Sequence, residues 1–231
     1  MVFRANLSGT KEVRDIIVAD AVLILAFSLT LSGGVFSASK GSFVGTFISY
    51  LPIVALGVSL SFILHELMHK FVAQHYGAIA GFRASINGLV VTLLTGMFGF
   101  LLGIPGATMI YASSFTKRQN GIVSLAGPLT NFAVFAVFLC LYVALSPAPG
   151  TYAAHAIGFV LFISILLAFF NMLPIYPLDG SKVLAWDKRV YALTMGIIFL
   201  LLVGFRFIPI FDIVFLVMIA LFFSLFYRNV L

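Results

Sequence analysis

Leu64-His65-Glu66-Leu67-Met68-His69-Lys70 closes a stretch that carries no charge from residue 41 to residue 64. A charge-free run of that length is about what a helix needs to cross a bilayer. Two histidines and a glutamate therefore stand within a membrane span, where ionisable groups are costly and are kept for function. Their spacing is H-E-x-x-H. On a helix, residues four apart lie about 40° apart around the axis and about 6 Å along it, so both imidazoles can grip one metal ion. Glu66, one step round, can reach a water beside that ion as a general base, and zinc makes such a water acidic near neutral pH.

The composition puts the rest of the chain in the membrane as well. Of 231 residues, 13 are Lys or Arg and 7 are Asp or Glu, which is 9% charged against 62% hydrophobic, and mean hydropathy is +1.19. A soluble chain carries about 25% charged residues because its surface must hold water. The net charge of +6 is loop charge that orients a membrane protein; no basic run or aromatic RNA-binding motif accompanies it, so no nucleic-acid partner is expected. The one cysteine, Cys140, lies in an apolar stretch, which excludes a disulfide framework and a cysteine-rich metal site. Arg4, Lys11 and Arg14 ahead of an apolar run, with Ser37-Ala38-Ser39 behind it, mimic a signal peptide, but the length of the run suits a retained first span.

The expected fold is an all-α polytopic membrane protein, one domain over residues 1–231. It has about six transmembrane helices and a small membrane-associated β or re-entrant element after the second. The charge-free residues 21–39 are long enough for the first span, which begins near Asp15 or Ile16. The core spans follow at residues 49–77, 121–145 and 155–173, the last two divided by Ser146-Pro147-Ala148-Pro149-Gly150. Residues 190–205 and 210–227 make two shorter final spans. Residues 84–116 carry no charge but are broken by Gly88, Gly96, Gly99, Gly103, Pro105 and Gly106, and Leu89-Val90-Val91-Thr92 reads as extended chain. Such backbone survives at membrane depth only where protein or a wet cavity satisfies it, so this segment is read as a hairpin or re-entrant element packed on the helices, not as a span. With six spans, Arg4, Lys11, Arg14, Lys70, Arg83, Lys117, Arg118, Lys182, Lys188, Arg189 and Arg228 fall on one side and only Lys40 and Arg206 on the other. The positive-inside rule then places both termini in the cytoplasm, in a multi-pass protein of the cell membrane.

A catalytic zinc takes three protein ligands and an open position. The chain holds two glutamates, Glu12 and Glu66, so a downstream Glu ligand is excluded. His75 gives the H-E-x-x-H-x5-H spacing of metzincins, but Val72 stands where those proteins turn at glycine. On a continuous helix His75 lies about 120° round from His69 and about 9 Å along. His155 opens the fourth span on the opposite side of the membrane. Asp179 remains, behind Pro174 and Pro177 and before Gly180. It reads either as a loop turn that caps the next helix or as a carboxylate turned back toward the metal. Because the second and fourth spans both run inward, His65, His69 and Asp179 converge on the cytoplasmic half of the bilayer.

At this point the chain resembles the site-2 protease family of intramembrane zinc metalloproteases. Residues 65–77, HELMHKFVAQHYG, look like the family's HExxH span. Leu125-Ala126-Gly127-Pro128-Leu129-Thr130-Asn131 looks like its A-G-P-x-x-N segment, and residues 170–180, FNMLPIYPLDG, are similar to its N-x-x-P-x-x-P-x-D-G motif. Together the three run over about half the chain. The resemblance implies three core helices around the metal, a small sheet after the HExxH helix, and Asp179 as third zinc ligand. Met68 stands where many members have glycine, which would crowd the site, and Ser181 and Lys182 follow the D-G where Gly-Gly or Gly-Arg is usual. Without the PDZ domain of many bacterial members, substrate selection would rest on the membrane part and short loops.

The expected activity is that of a zinc metalloendopeptidase. One zinc ion sits on His65, His69 and Asp179, Glu66 is the general base, and peptide bonds in or near transmembrane helices of other proteins are the substrate. Asn171 is a candidate for hydrogen-bonding substrate backbone or the oxyanion, an amide in an apolar cleft that the resemblance also points to; its other reading is a helix-end cap. The rival class is a zinc or divalent-metal transporter of the ZIP type, which calls for a second polar metal-binding helix; the four histidines of this chain leave none. A relative that binds membrane peptides without cutting them would not need Glu66. Histidine-box oxygenases need about eight histidines and drop out on count.

Overall fold

The computed structural model describes residues 9–37, 41–112 and 114–207. Helix α1 spans Gly9–Leu31 and α2 spans Phe43–His75. Strand β1, Ile79–Ala84, leads into helix α3, Ile86–Met97, and strand β2, Gly106–Tyr111. Helices α4, Lys117–Leu145, and α5, Tyr152–Asn171, are followed by the short α6, Asp179–Trp186, and by α7, Lys188–Gly204. Among the described residues, three helices are long and apolar enough to cross a bilayer, α2, α4 and α5, with 33, 29 and 20 residues. The chain is a membrane protein by that measure, and these three helices are the expected core spans.

The helix boundaries follow local chemistry. A capping box between Thr116 and Gln119 opens α4, satisfying amide groups that the first turn leaves without partners. The Thr151 side chain does the same for α5 by accepting from the Ala154 amide. Helix α2 ends where Gly77 adopts a φ of 78°, a left-handed conformation that glycine reaches without cost.

Helices α2, α4 and α5 pack against one another, α6 lies on α4, and α1 lies on α2, α3 and β1. Two adjacent stripes of α2 divide its neighbours. Ser61, His65 and His69 form one stripe, at helical spacing of four, and it faces α4 and α5; Ser61 meets Ser164 of α5 at 2.9 Å. Phe62, Glu66 and Lys70 form the next, and it faces the hairpin and α1. There the Phe62 ring meets Phe82 of β1 edge-on at 5.6 Å. Lys70 donates at 2.6 Å to Glu12 of α1, whose other oxygen accepts from the Phe82 amide at 3.3 Å.

The two strands pair antiparallel, with Phe82 opposite Thr108, so the expected hairpin is present. It differs in two ways. Its first strand lies ahead of residue 84, and Leu89-Val90-Val91-Thr92 is part of helix α3 rather than extended chain. The β-branched residues lose to tertiary context: Gly88, Leu89, Thr92 and Gly96 fall on one buried face and α3 lies on α1. The Thr92 hydroxyl donates toward the Gly88 and Leu102 carbonyls, at 2.9 Å each.

The first expected span also differs, and its helix is not among the three long and apolar enough to cross. Its helix begins at Gly9, ahead of Asp15, and so includes Lys11, Glu12, Arg14, Asp15 and Asp20. The three acids among them are held: besides the Glu12 pair, Asp15 lies 3.7 Å from Arg83, and Ser59 of α2 donates to Asp20 at 2.6 Å. The fifth expected span coincides with α7, which at 17 residues is not among those three helices either. The sixth, residues 210–227, and the loop charge Lys40 lie outside the described residues.

Glu12 is 7% exposed, so removing it strands the Lys70 ammonium in a site where it has lost its counter-charge. Glu12→Ala is expected to destabilise the protein by about 3 kcal/mol, read as a lower midpoint of denaturation in detergent, and Glu12→Asp by less.

Candidate metal centre

His65 and His69 project from the buried stripe of α2 and are 2% and 6% exposed. Asp179 arrives from the far end of α5. The chain leaves that helix through Met172-Leu173-Pro174-Ile175-Tyr176-Pro177, whose Tyr176–Pro177 peptide is cis, and re-enters helix at Asp179. Gly180 allows the approach, because a Cβ there would run into the Met172 carbonyl. Asp179 occupies the first turn of α6 without capping it, since Leu178 stands at the N-cap and no side chain bonds there; its carboxylate instead faces the histidines.

The donor atoms converge. His65 Nε2 and His69 Nε2 are 3.0 Å apart, and Asp179 Oδ2 lies 3.4 Å from the first and 3.0 Å from the second. A tetrahedral zinc with bonds of about 2.0–2.1 Å would set its ligand atoms about 3.3 Å apart, so the spacing fits that ion. Burial works to raise the Asp179 carboxyl, but the His69 and His65 imidazoles beside it outweigh this and hold it below the ordinary carboxylate range. Lys182 Nζ stands 3.8 Å from its other oxygen, Oδ1.

Helix α4 sets the imidazoles. The Val123 carbonyl lies 2.7 Å from His69 Nδ1. A carbonyl only accepts, so Nδ1 carries the proton and Nε2 keeps a lone pair for the metal. The Asn131 amide lies 3.2 Å from His65 Nδ1 through Nδ2, and its buried Oδ1 has no partner. The two ends of an amide are interchangeable in shape; with Oδ1 toward the ring, His65 Nδ1–H donates to it and the second Nε2 is also bare. Between the rings α4 presents Gly127, where a Cβ would stand 2.5 Å from both Nε2 atoms.

Glu66 is half-buried beside this group, and its Oε2 accepts from the Thr108 amide at 3.1 Å and the Thr108 hydroxyl at 2.8 Å. Asn171 is not brought to the donors by any hydrogen bond: its Nδ2 donates to the Leu167 carbonyl of its own helix at 3.0 Å. His75 and His155 are exposed and outside the group. Met68, expected to crowd the site, is 39% exposed, because its position puts it on the flank of the histidine stripe. Ser181 donates to the Leu178 carbonyl at 2.7 Å and supports the turn before α6.

A protein of Methanocaldococcus jannaschii, MJ0611, named as a candidate zinc metalloprotease, is 44% identical over 142 residues, covering 61% of this chain and 73% of that one. The chain belongs to the site-2 protease family. Two further family relatives carry the same description. YwhC of Bacillus subtilis is 29% identical over 155 residues, covering 59% of this chain and 69% of its own. Rip2 of Mycolicibacterium smegmatis is 29% identical over 192 residues, with coverage of 74% and 71%. No family model and no solved structure matches the chain. The cofactor of this site-2 protease family member is zinc, and the three converged donors fit it in number, chemistry and spacing.

Sequence reasoning gave no role to Val123, Asn131 or Thr108. Asn131 had a signal, as an amide inside an apolar span. Val123 acts through its backbone and Thr108 is an ordinary strand residue, so neither had one.

Gly127→Val is expected to expel zinc while leaving the helix content unchanged, since its branches must occupy the space between the two Nε2 atoms. Metal analysis beside circular dichroism measures both; full zinc occupancy in this variant would contradict the geometry.

Proposed function

We propose that this protein hydrolyses peptide bonds in or near transmembrane helices of other membrane proteins. The observation that carries the reading is the buried His65, His69 and Asp179 group inside helices of membrane-spanning length, with a carboxylate, Glu66, one helical step away. Zinc bound there supplies a Lewis acid that activates water and polarises the scissile carbonyl. His65, His69 and Asp179 hold it, with Val123 and Asn131 fixing the imidazoles and Gly127 leaving the space. Glu66 takes a proton from the attacking water and returns it to the leaving amine nitrogen. Asn171, at the end of α5, releases the Leu167 carbonyl and donates to the substrate backbone or the oxyanion.

A peptide bond within a helix has its carbonyl hydrogen-bonded four residues on, so the substrate must unwind locally before it can be cut. The proposed topology has six spans with both termini in the cytoplasm, supported by the division of basic residues into 11 on one face and 2 on the other. The unwound bond and its water then meet the site from the cytoplasmic side. A transporter would need a further group of metal-binding side chains along its path, and among the described residues there is one such group.

Glu66→Gln is expected to keep zinc and lose at least about a hundredfold in cleavage of a membrane-embedded substrate, and Asn171→Ala to lose about tenfold to a hundredfold in turnover. Metal uptake into sealed vesicles without proteolysis would overturn the reading in favour of transport.

A further inference from the structure

We propose that Thr108 is a positioning residue for Glu66: strand β2 holds the carboxylate by one oxygen and leaves the other free to receive the proton from water. The inference rests on the proteolytic reading above. Both donors of Thr108 are directed at the same atom, the amide at 3.1 Å and the hydroxyl at 2.8 Å from Glu66 Oε2. The hydroxyl is also 3.2 Å from the Glu66 carbonyl, a more distant acceptor for its single proton than Oε2. Glu66 Oε1 has no hydrogen-bond partner among the described residues. A glutamate has three side-chain torsions, and α2 alone does not choose among them; two donors on Oε2 do.

The grip is only as firm as the strand, and the strand is fixed to the same stripe of α2 on both sides of Glu66. Opposite Thr108 in the sheet is Phe82, which is 1% exposed and packs on Phe62, one turn before Glu66. The Phe82 amide donates to Glu12, which pairs with Lys70, one turn after Glu66. The hairpin is thus attached at positions 62, 66 and 70 of one helix face, and the middle attachment is the general base. The small sheet thereby acquires a chemical role, setting where the carboxylate stands relative to the donors on the adjacent stripe, at 65 and 69. A general base contributes only when held within hydrogen-bond reach of the proton it takes.

The test compares Thr108→Val, which keeps the β-branched shape and the amide but loses the hydroxyl, with Thr108→Ser, which restores the donor. Wild type, both variants and Glu66→Gln are assayed on a library of quenched-fluorescent single-span peptides in phosphatidylcholine vesicles, with zinc content and melting midpoint measured on each. The expected result is a drop of about tenfold or more in kcat for Thr108→Val, with KM within about twofold, zinc and midpoint as in wild type, and recovery in Thr108→Ser. Wild-type kcat in Thr108→Val overturns the proposal. So does a loss that comes with lost zinc, a lowered midpoint or raised KM alone, or one that serine does not restore, because each marks a merely structural residue. If wild type itself cleaves no peptide faster than Glu66→Gln, the proteolytic reading fails and the role of Thr108 falls with it.

Discussion

The structure depends on three buried donor atoms placed 3.0–3.4 Å from one another, two imidazole nitrogens and a carboxylate oxygen. With their lone pairs facing one another in an apolar interior, such groups are unfavourable unless a cation or protons lie between them. Much of the surrounding fold serves to bring them together and keep them there. Helix α2 supplies two donors from one stripe, the α5–α6 turn returns the third, and α4 fixes both rings while withholding a side chain at Gly127. The zinc of the site-2 protease family fits this place because the site leaves it space, lone pairs and a negative charge.

The same helix organises chemistry and support by a single step of rotation. The stripe through Ser61, His65 and His69 faces the other core helices, and the stripe through Phe62, Glu66 and Lys70 faces the hairpin and α1. The two imidazole donors and the proposed general base are therefore carried by one rigid element but secured by different partners. The charges of α1 make sense in this setting. Glu12 and Asp15 anchor Lys70 and Arg83, so a helix that would be too charged to span alone is docked on its neighbours.

What the sequence revealed was what depends on local spacing. H-E-x-x-H is a property of one helix, so His65, Glu66 and His69 were legible with no knowledge of the fold, as were the long apolar runs of α2, α4 and α5. Asp179 was legible as a turn, but its pairing with the histidines depends on tertiary packing; Pro174, Pro177 and Gly180 only mark where the chain can bend. The Val123 carbonyl was illegible because every residue has one. Leu89-Val90-Val91-Thr92 misled because β-branched residues favour strands in isolation, whereas here the small residues Gly88 and Gly96 on the same face accompany a helix packed on α1. At the start of α1 charge does not mark the edge of the helix, because Glu12 and Asp15 are paired with Lys70 and Arg83 inside the protein.

The most direct measurement of the central claim is zinc K-edge X-ray absorption on the purified protein. Two imidazole nitrogens at about 2.0–2.1 Å and oxygen ligation at about 2.0–2.2 Å are expected, with no sulfur. A zinc carrying fewer than two imidazoles, or a sulfur at about 2.3 Å, would contradict it.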